Sequence, residues 1–158
     1  MLVFKNVLGA LVTTNASGAT ENDFAFVKPG ATRNVMVRAI SLIGRAAGAT
    51  TIASVVVRIK KWTTTASSTN AVTPAPVEIG YQAAKSTAGI SATTVTSGTG
   101  GPTVLGTIGC SQGGPGGWVA RDDYSGYLLE GNDAKSIDLF NISGVASVPF
   151  ECDLEIVE

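Results

Sequence analysis

The sequence contains no histidine. That absence removes the side chain most often used as a general base, and with it the commonest transition-metal ligand. Charge is scarce as well. Asp, Glu, Lys and Arg make up 15% of the 158 residues, against roughly 25% in typical soluble domains. A free monomer relies on surface charge to stay in solution, so the deficit predicts that other chains cover part of this surface. A net charge of −1 and a pI near 5.4 leave no electrostatic footprint for a nucleic acid. The basic cluster Arg58, Lys60 and Lys61 is expected at the solvent end of a strand.

Long apolar runs are missing too. No stretch approaches the roughly 18 residues of a membrane span. The run Val7, Leu8, Gly9, Ala10, Leu11, Val12 follows Lys5 but falls short of the roughly 7–15 residues of a signal-peptide core. Leu2, Val3 and Phe4 lie on the wrong side of that charge. Residues 1–20 therefore read as an ordered arm or first strand, and the arm would be a candidate for docking onto a neighbour. Residues 21–158 read as one domain, since no internal repeat or linker divides them. Only two cysteines occur, Cys110 and Cys152, and they form no CxxC pair. They read as buried thiols; a bridge between them is the alternative that an oxidising compartment would allow.

What the chain does have is strand signal. Val35, Val37, Ala39, Ser41 and Ile43 are expected on one face of a strand, with Met36, Arg38, Ile40 and Leu42 on the other. From Ile52 to Trp62 the density of β-branched residues restricts χ1 and suits a pleated strand. The clearest alternation closes the sequence: Phe150, Cys152, Leu154 and Ile156 point one way, and Glu151, Asp153 and Glu155 the other. Shorter strands are expected at Asp23–Val27, Val77–Gln82, Val104–Cys110, Trp118–Arg121, Tyr127–Glu130 and Ser136–Ile142. Between them stand Gly and Pro clusters that mark turns, among them Lys28-Pro29-Gly30, Pro74-Ala75-Pro76 and Gly113–Gly117. The one candidate helix is a turn or two at Gln82–Ala88. Thr63–Thr73 and Ser86–Pro102 have little to bury and read as surface loops that need a partner to order them. Together these signals predict an all-β fold, an antiparallel β-sandwich of jelly-roll type.

Gly98-Thr99-Gly100-Gly101 and Gly113–Gly117 lack the following Lys-Ser/Thr of a phosphate loop and read as turns. Asp122, Asp123 and Asp133 lack the oxygen spacing of a calcium loop. Serine has no Gly-x-Ser-x-Gly elbow and no histidine beside it. Asp123, Glu130 and Asp138 could supply the carboxylate pair of a glycosidase, but nothing in their spacing singles out two of them. Trp62, Trp118, Tyr81, Tyr124 and Tyr127 could stack on sugar rings, although aromatics are few and the core has first claim on them. Asn15-Ala16-Ser17 and Asn141-Ile142-Ser143 fit the glycosylation pattern, which is short enough to arise by chance. These readings predict no catalytic, cofactor-binding or metal-binding residue, no cofactor and no enzyme.

From about Ser54 onward the features come in a particular order. The strand Val55–Arg58 leads into a Thr/Ser/Ala loop, then Val72-Thr73-Pro74-Ala75-Pro76-Val77 and Ala83-Ala84. A Thr/Gly loop closes on Leu105-Gly106-Thr107-Ile108. Gly114–Trp118, Tyr127-Leu128-Leu129-Glu130-Gly131, Ser136-Ile137-Asp138-Leu139 and an acidic last strand ending in Glu158 complete the series. In this order the chain resembles small virion proteins of tailed bacteriophages. The resemblance implies a structural protein of the head, a decoration or cement protein on the major capsid protein. Its partners would be that protein and copies of itself, as a homo-oligomer with a trimer as one arrangement. It would sit in the virion, assembled in the host cytoplasm, where Cys110 and Cys152 stay reduced; no nucleic acid or membrane is implied. The alternative is a host-receptor or carbohydrate-binding β-sandwich module, secreted or carried on a tail fibre.

Overall fold

The computed structural model describes residues 3–13, 22–44, 54–64, 67–68, 71–76, 82–90, 95–96, 100–111, 115–121, 126–131, 135–142 and 149–158. These residues form strands and connections, with no helix among them. In chain order the strands are β1 (Val3–Thr13), β2 (Asn22–Lys28), β3 (Val35–Gly44), β4 (Ser54–Trp62), β5 (Ser67–Ser68), β6 (Ala71–Val72) and β7 (Ala75–Pro76). They continue with β8 (Thr87–Ile90), β9 (Val95–Thr96), β10 (Thr103–Ser111), β11 (Pro115–Val119), β12 (Tyr127–Leu129), β13 (Ser136–Asn141) and β14 (Pro149–Val157).

Their pairing is nested. β4 pairs with β10, β3 with β11 and β12, β2 with β13, and β1 with β14, all antiparallel. That is one long hairpin, and rolling it over brings β14 beside β3 and β13 beside β4. The result is two sheets, β11/β12-β3-β14-β1-β7 and β10-β4-β13-β2-β8-β6. This is the strand order of a jelly roll, in agreement with the all-β sandwich expected from the sequence. Val37, Ile40, Leu42, Leu154, Ile156 and Cys152 from the first sheet meet Val57, Ile59, Ile137, Leu139, Ala25 and Val27 from the second in a single core.

The last strand carries out its alternation: Cys152, Leu154 and Ile156 are buried, and Glu151, Asp153 and Glu155 are half-buried on the other face. In β3 the expected faces hold for only half the strand. Val35 and Val37 are buried, but so are Ile40 and Leu42, whereas Ser41 and Ile43 are exposed. The cause is a bulge. Ala39 pairs with Glu155 and Val37 with Ile156, so Arg38 is an extra residue that reverses the phase. On the other side of β3 the Arg38 carbonyl accepts a hydrogen bond from Ala120 N at 2.8 Å, in the gap between β11 and β12.

Other expectations need correction. The stretch Gln82–Ala88 is not helical; Thr87–Ile90 pairs with β2 and β6, and Ala88 is fully buried opposite Val27 and Val72. Long-range pairing here overrides the helix preference of alanine. The Lys85–Ser86 bend before it is held by Glu158, whose carboxylate accepts from Lys85 N at 2.9 and 3.0 Å and from Ser86 N at 2.6 Å. The two polar loops order each other. β5 pairs with β9 and β6 with β8, and Thr63 Oγ1 donates to the Gly100 carbonyl at 2.8 Å. The β5–β9 ribbon lies against β2 and β8. The N-terminal stretch is likewise a strand of the sheet, between β14 and β7, and not an arm held out for a neighbour.

The glycines at Gly113–Gly117 were read as a turn, yet Pro115–Val119 is a strand along β3. Packing accounts for the residue type. A Cβ on Gly116 would overlap the Gly109 carbonyl oxygen and come within 2.8 Å of the Cys110 Cβ. The two sheets touch backbone to backbone at this edge, where β10 runs over β11. Gly100, with φ of 83°, is a turn glycine as expected, leading into β10.

Candidate interaction face

The second sheet has no wet face at its centre. The row Phe26, Asp138 and Lys60 points away from the core, yet Phe26 and Asp138 are fully buried and Lys60 is nearly so. Lys60 Nζ sits 4.2 Å from the centre of the Phe140 ring, a cation–π contact. Lys60 therefore does not belong at a solvent end. Asp138 is fully buried in this row, and Glu130 lies exposed beyond β12. Asp122, Asp123, Asp133, Tyr81 and Tyr124 lie outside the described residues, as do Asn15 and Ser143. Among the described residues no cluster of three acidic, cysteine or histidine side chains could hold a metal.

The aromatics do not form an open platform for sugars where they are described. Trp118 and Tyr127 stack on each other, with centroids 4.3 Å apart and planes 13° from parallel, and both pack against the core. The Tyr127 hydroxyl donates to the Leu105 carbonyl at 3.4 Å, which ties β12 to β10. Trp62 lies against Phe140 at 5.8 Å. Beside Tyr127 is a cleft of about 210 Å³, lined by Lys61, Leu105, Gly126, Leu128 and Ile137. Lys61 Nζ already donates to the Leu128 carbonyl at 3.2 Å. The cleft is smaller than the roughly 300–1,000 Å³ of small-molecule sites.

The first sheet is different. Past the Arg38 bulge, its outward rows run Val119–Ala39–Glu155 and Gly117–Ser41–Asp153, with Ile43 beside Glu151 in the next. Val119 is 67% exposed and Ile43 44%. Gly117 and Ser41 are exposed and Ala39 is half-buried. The wet side of an antiparallel sheet is ordinarily polar. Here the β11 and β3 positions carry no charge, and the acids stand together in one column on β14. Arg38 Nε lies 3.9 Å from Glu155, at one end of that column. Alternation in the sequence puts both Val119 and Ile43 in strands but does not reveal this face. Only the bulge puts Ile43 outside, and only the register sets it diagonally across from Val119.

Cys110 and Cys152 are not bridged to each other and lie buried in the core, one from each sheet. Burial pushes the Cys152 thiol well above its ordinary value, with Asp153 and Cys110 adding to the shift, and burial also raises Tyr127. Both groups keep their protons longer in the folded state than in the unfolded chain. Their contribution to stability is therefore whole below the unfolded pKa and is lost as pH rises toward the folded one. Urea midpoints should be level through neutral pH and fall above roughly pH 8.5, the unperturbed thiol value. The loss from Cys152 should approach about 1.4 kcal/mol per pH unit. A Cys152→Ala variant whose alkaline decline equals that of the parent would refute the assignment.

Compared with known proteins, the chain matches no family model, no curated protein and no solved structure.

Proposed function

We propose that this chain is a non-enzymatic structural protein of a virion head, a decoration or cement protein that binds the shell and strengthens it. The observation that carries the reading is the outward surface of β3 and β11 past the Arg38 bulge, which carries no charge and leaves Val119 and Ile43 exposed. Exposed apolar side chains on an uncharged stretch of an outward sheet face, beside an acidic strand, support a protein–protein contact. The order of features from Ser54 to Glu158 supports the same reading, and so does the jelly-roll order of the strands, a scaffold used in shells as well as in lectins. Fold alone does not select between those uses. The mutual stacking of Trp118 and Tyr127 favours the shell over the sugar, because the facing ring surfaces are spent on each other.

A cement protein acts by many weak contacts repeated over a symmetric surface, so avidity replaces a single tight site. Low charge suits such a role, since each copy is surrounded by other protein. Heads assembled without this chain are expected to lose their contents at a lower temperature than complete heads. Adding the purified protein should restore the difference, and imaging should show its density on the outside of the shell. Heads of equal heat resistance, with no added density after incubation, would rule the function out.

A further inference from the structure

We infer that the backbone N–H groups of Lys85 and Ser86 form a carboxylate-binding site, and that Glu158, its resident ligand, clasps one sheet to the other. The clasp is independent of the function proposed above. Glu158 follows β14 of the first sheet, and Lys85 and Ser86 lead into β8 of the second. Oε1 of Glu158 accepts from Ser86 N at 2.6 Å and from Lys85 N at 3.0 Å, and Oε2 accepts from Lys85 N at 2.9 Å. Two successive N–H groups turned to one side of a bend make a concavity of positive potential that suits an anion. Both carboxylate oxygens are engaged, and bonds of this kind to an ionised acceptor are roughly twice as strong as neutral ones. The groups that meet the carboxylate are both donors, so the site selects anions.

Glu158 is not alone in fixing the bend. Ala84 and Ser86 are buried on either side of exposed Lys85, and Ala88 is fully buried where β8 meets β2 and β6. A Cβ on Gly30 would overlap the Lys85 carbonyl oxygen and come within 2.9 Å of the Lys85 Cβ. The chain at Gly30 therefore backs the bend closely. Arg33 Nη2 donates to Gln82 Oε1 at 3.4 Å, three residues ahead of Lys85. Packed in this way, the two N–H groups keep their direction when the carboxylate is taken away. Removing Glu158 then leaves an empty site. Ser86 Oγ, a buried hydroxyl with no hydrogen-bond partner among the described residues, is a further donor on the same residue. In the parent the tethered carboxylate holds the site at high effective concentration, so free anions do not displace it.

The test uses the isotope-labelled full-length protein with its Glu158→Ala and Glu158→Gln variants, followed by NMR and thermal unfolding. Each is measured in sodium acetate, chloride and sulfate at equal ionic strength. In the parent the Lys85 and Ser86 amides should exchange more slowly than in either variant and give the same signals in all three salts. Both variants should lose roughly 3–12 °C of Tm, the effect of losing a charged hydrogen-bonding group in a chain of this size. In Glu158→Ala, acetate should shift the two amide signals along a saturating curve and raise Tm more than it does in the parent. Chloride should do neither. Acetate shifts no larger than chloride shifts would overturn the site. Larger shifts with sulfate would overturn its preference for a carboxylate. Equal amide exchange in the parent and the variants would overturn the clasp itself. So would a Glu158→Gln variant as stable as the parent, whether or not the alanine variant folds.

Discussion

Deleting residues 1–12 is expected to abolish cooperative folding. As a docking arm the stretch would be dispensable, but the structure makes it β1, paired with β14 from Val3 opposite Val157 to Thr13 opposite Pro149. Without it β14 becomes an edge strand, with one full row of its N–H and C=O groups unpaired. β14 carries Cys152, Leu154 and Ile156 into the core and joins β1 to β3. A small domain has only about 5–15 kcal/mol of stability, and the loss of an entire ladder, with the core strand β14 left at an edge, exceeds that margin. Circular dichroism and a urea titration of the truncated chain would test this. A sigmoidal transition with the midpoint of the parent would show that β1 is an accessory arm after all.

Replacing Leu154 by Ala is expected to cost about 2–5 kcal/mol, the range for emptying a fully packed leucine site. Leu154 is 2% exposed and stands in the inward row with Ile40 and Trp118. Both neighbours come from strands pinned by their own ladders, so the space cannot collapse easily and most of the cavity should remain. Val119→Ala is the matching control on the outward face of the same sheet, where a change within about 0.5 kcal/mol is expected. Chemical denaturation of the two variants side by side gives the answer. Equal, small losses would mean that the strand lies in the opposite phase, with its acids inward.

That phase was legible in the sequence of β14 and only half legible in β3, and the difference shows where local pattern stops being informative. Alternation is a property of one strand, so Cys152, Leu154 and Ile156 could be placed inside from their spacing alone. A bulge is a property of two strands. Nothing near Arg38 announces that β14 will match Val37 and Ala39 to consecutive residues, Ile156 and Glu155. With the phase of Ile40 to Ile43 unknown, the exposed face of β3 and β11 could not be seen, although Ile43 and Val119 both stand in expected strands. The polar loops failed in a related way. Composition predicts that neither can bury much by itself; it does not predict that β5 pairs with β9 and β6 with β8, nor that Ser86 and Ala88 are buried.

By itself the sequence determined the class of the molecule. Dense β-branched residues, period-two alternation and frequent Gly, with Pro at the turns, specify an all-β chain, because each acts on its own residue or its immediate neighbours. The tertiary structure alone decided which surface is wet. Lys60 and Asp138 look like solvent positions from their alternation with Ile59 and Leu139, and they are buried because the outward side of the second sheet is covered. Gly116 looks like part of a turn, yet it lies in a strand paired with β3 and is glycine because β10 passes directly over it. Ile43 looks like a core residue, and it faces outward because an extra residue in β3 turned the strand. Each of these outcomes depends on a segment far away in the chain, and no local pattern records a contact made at that distance.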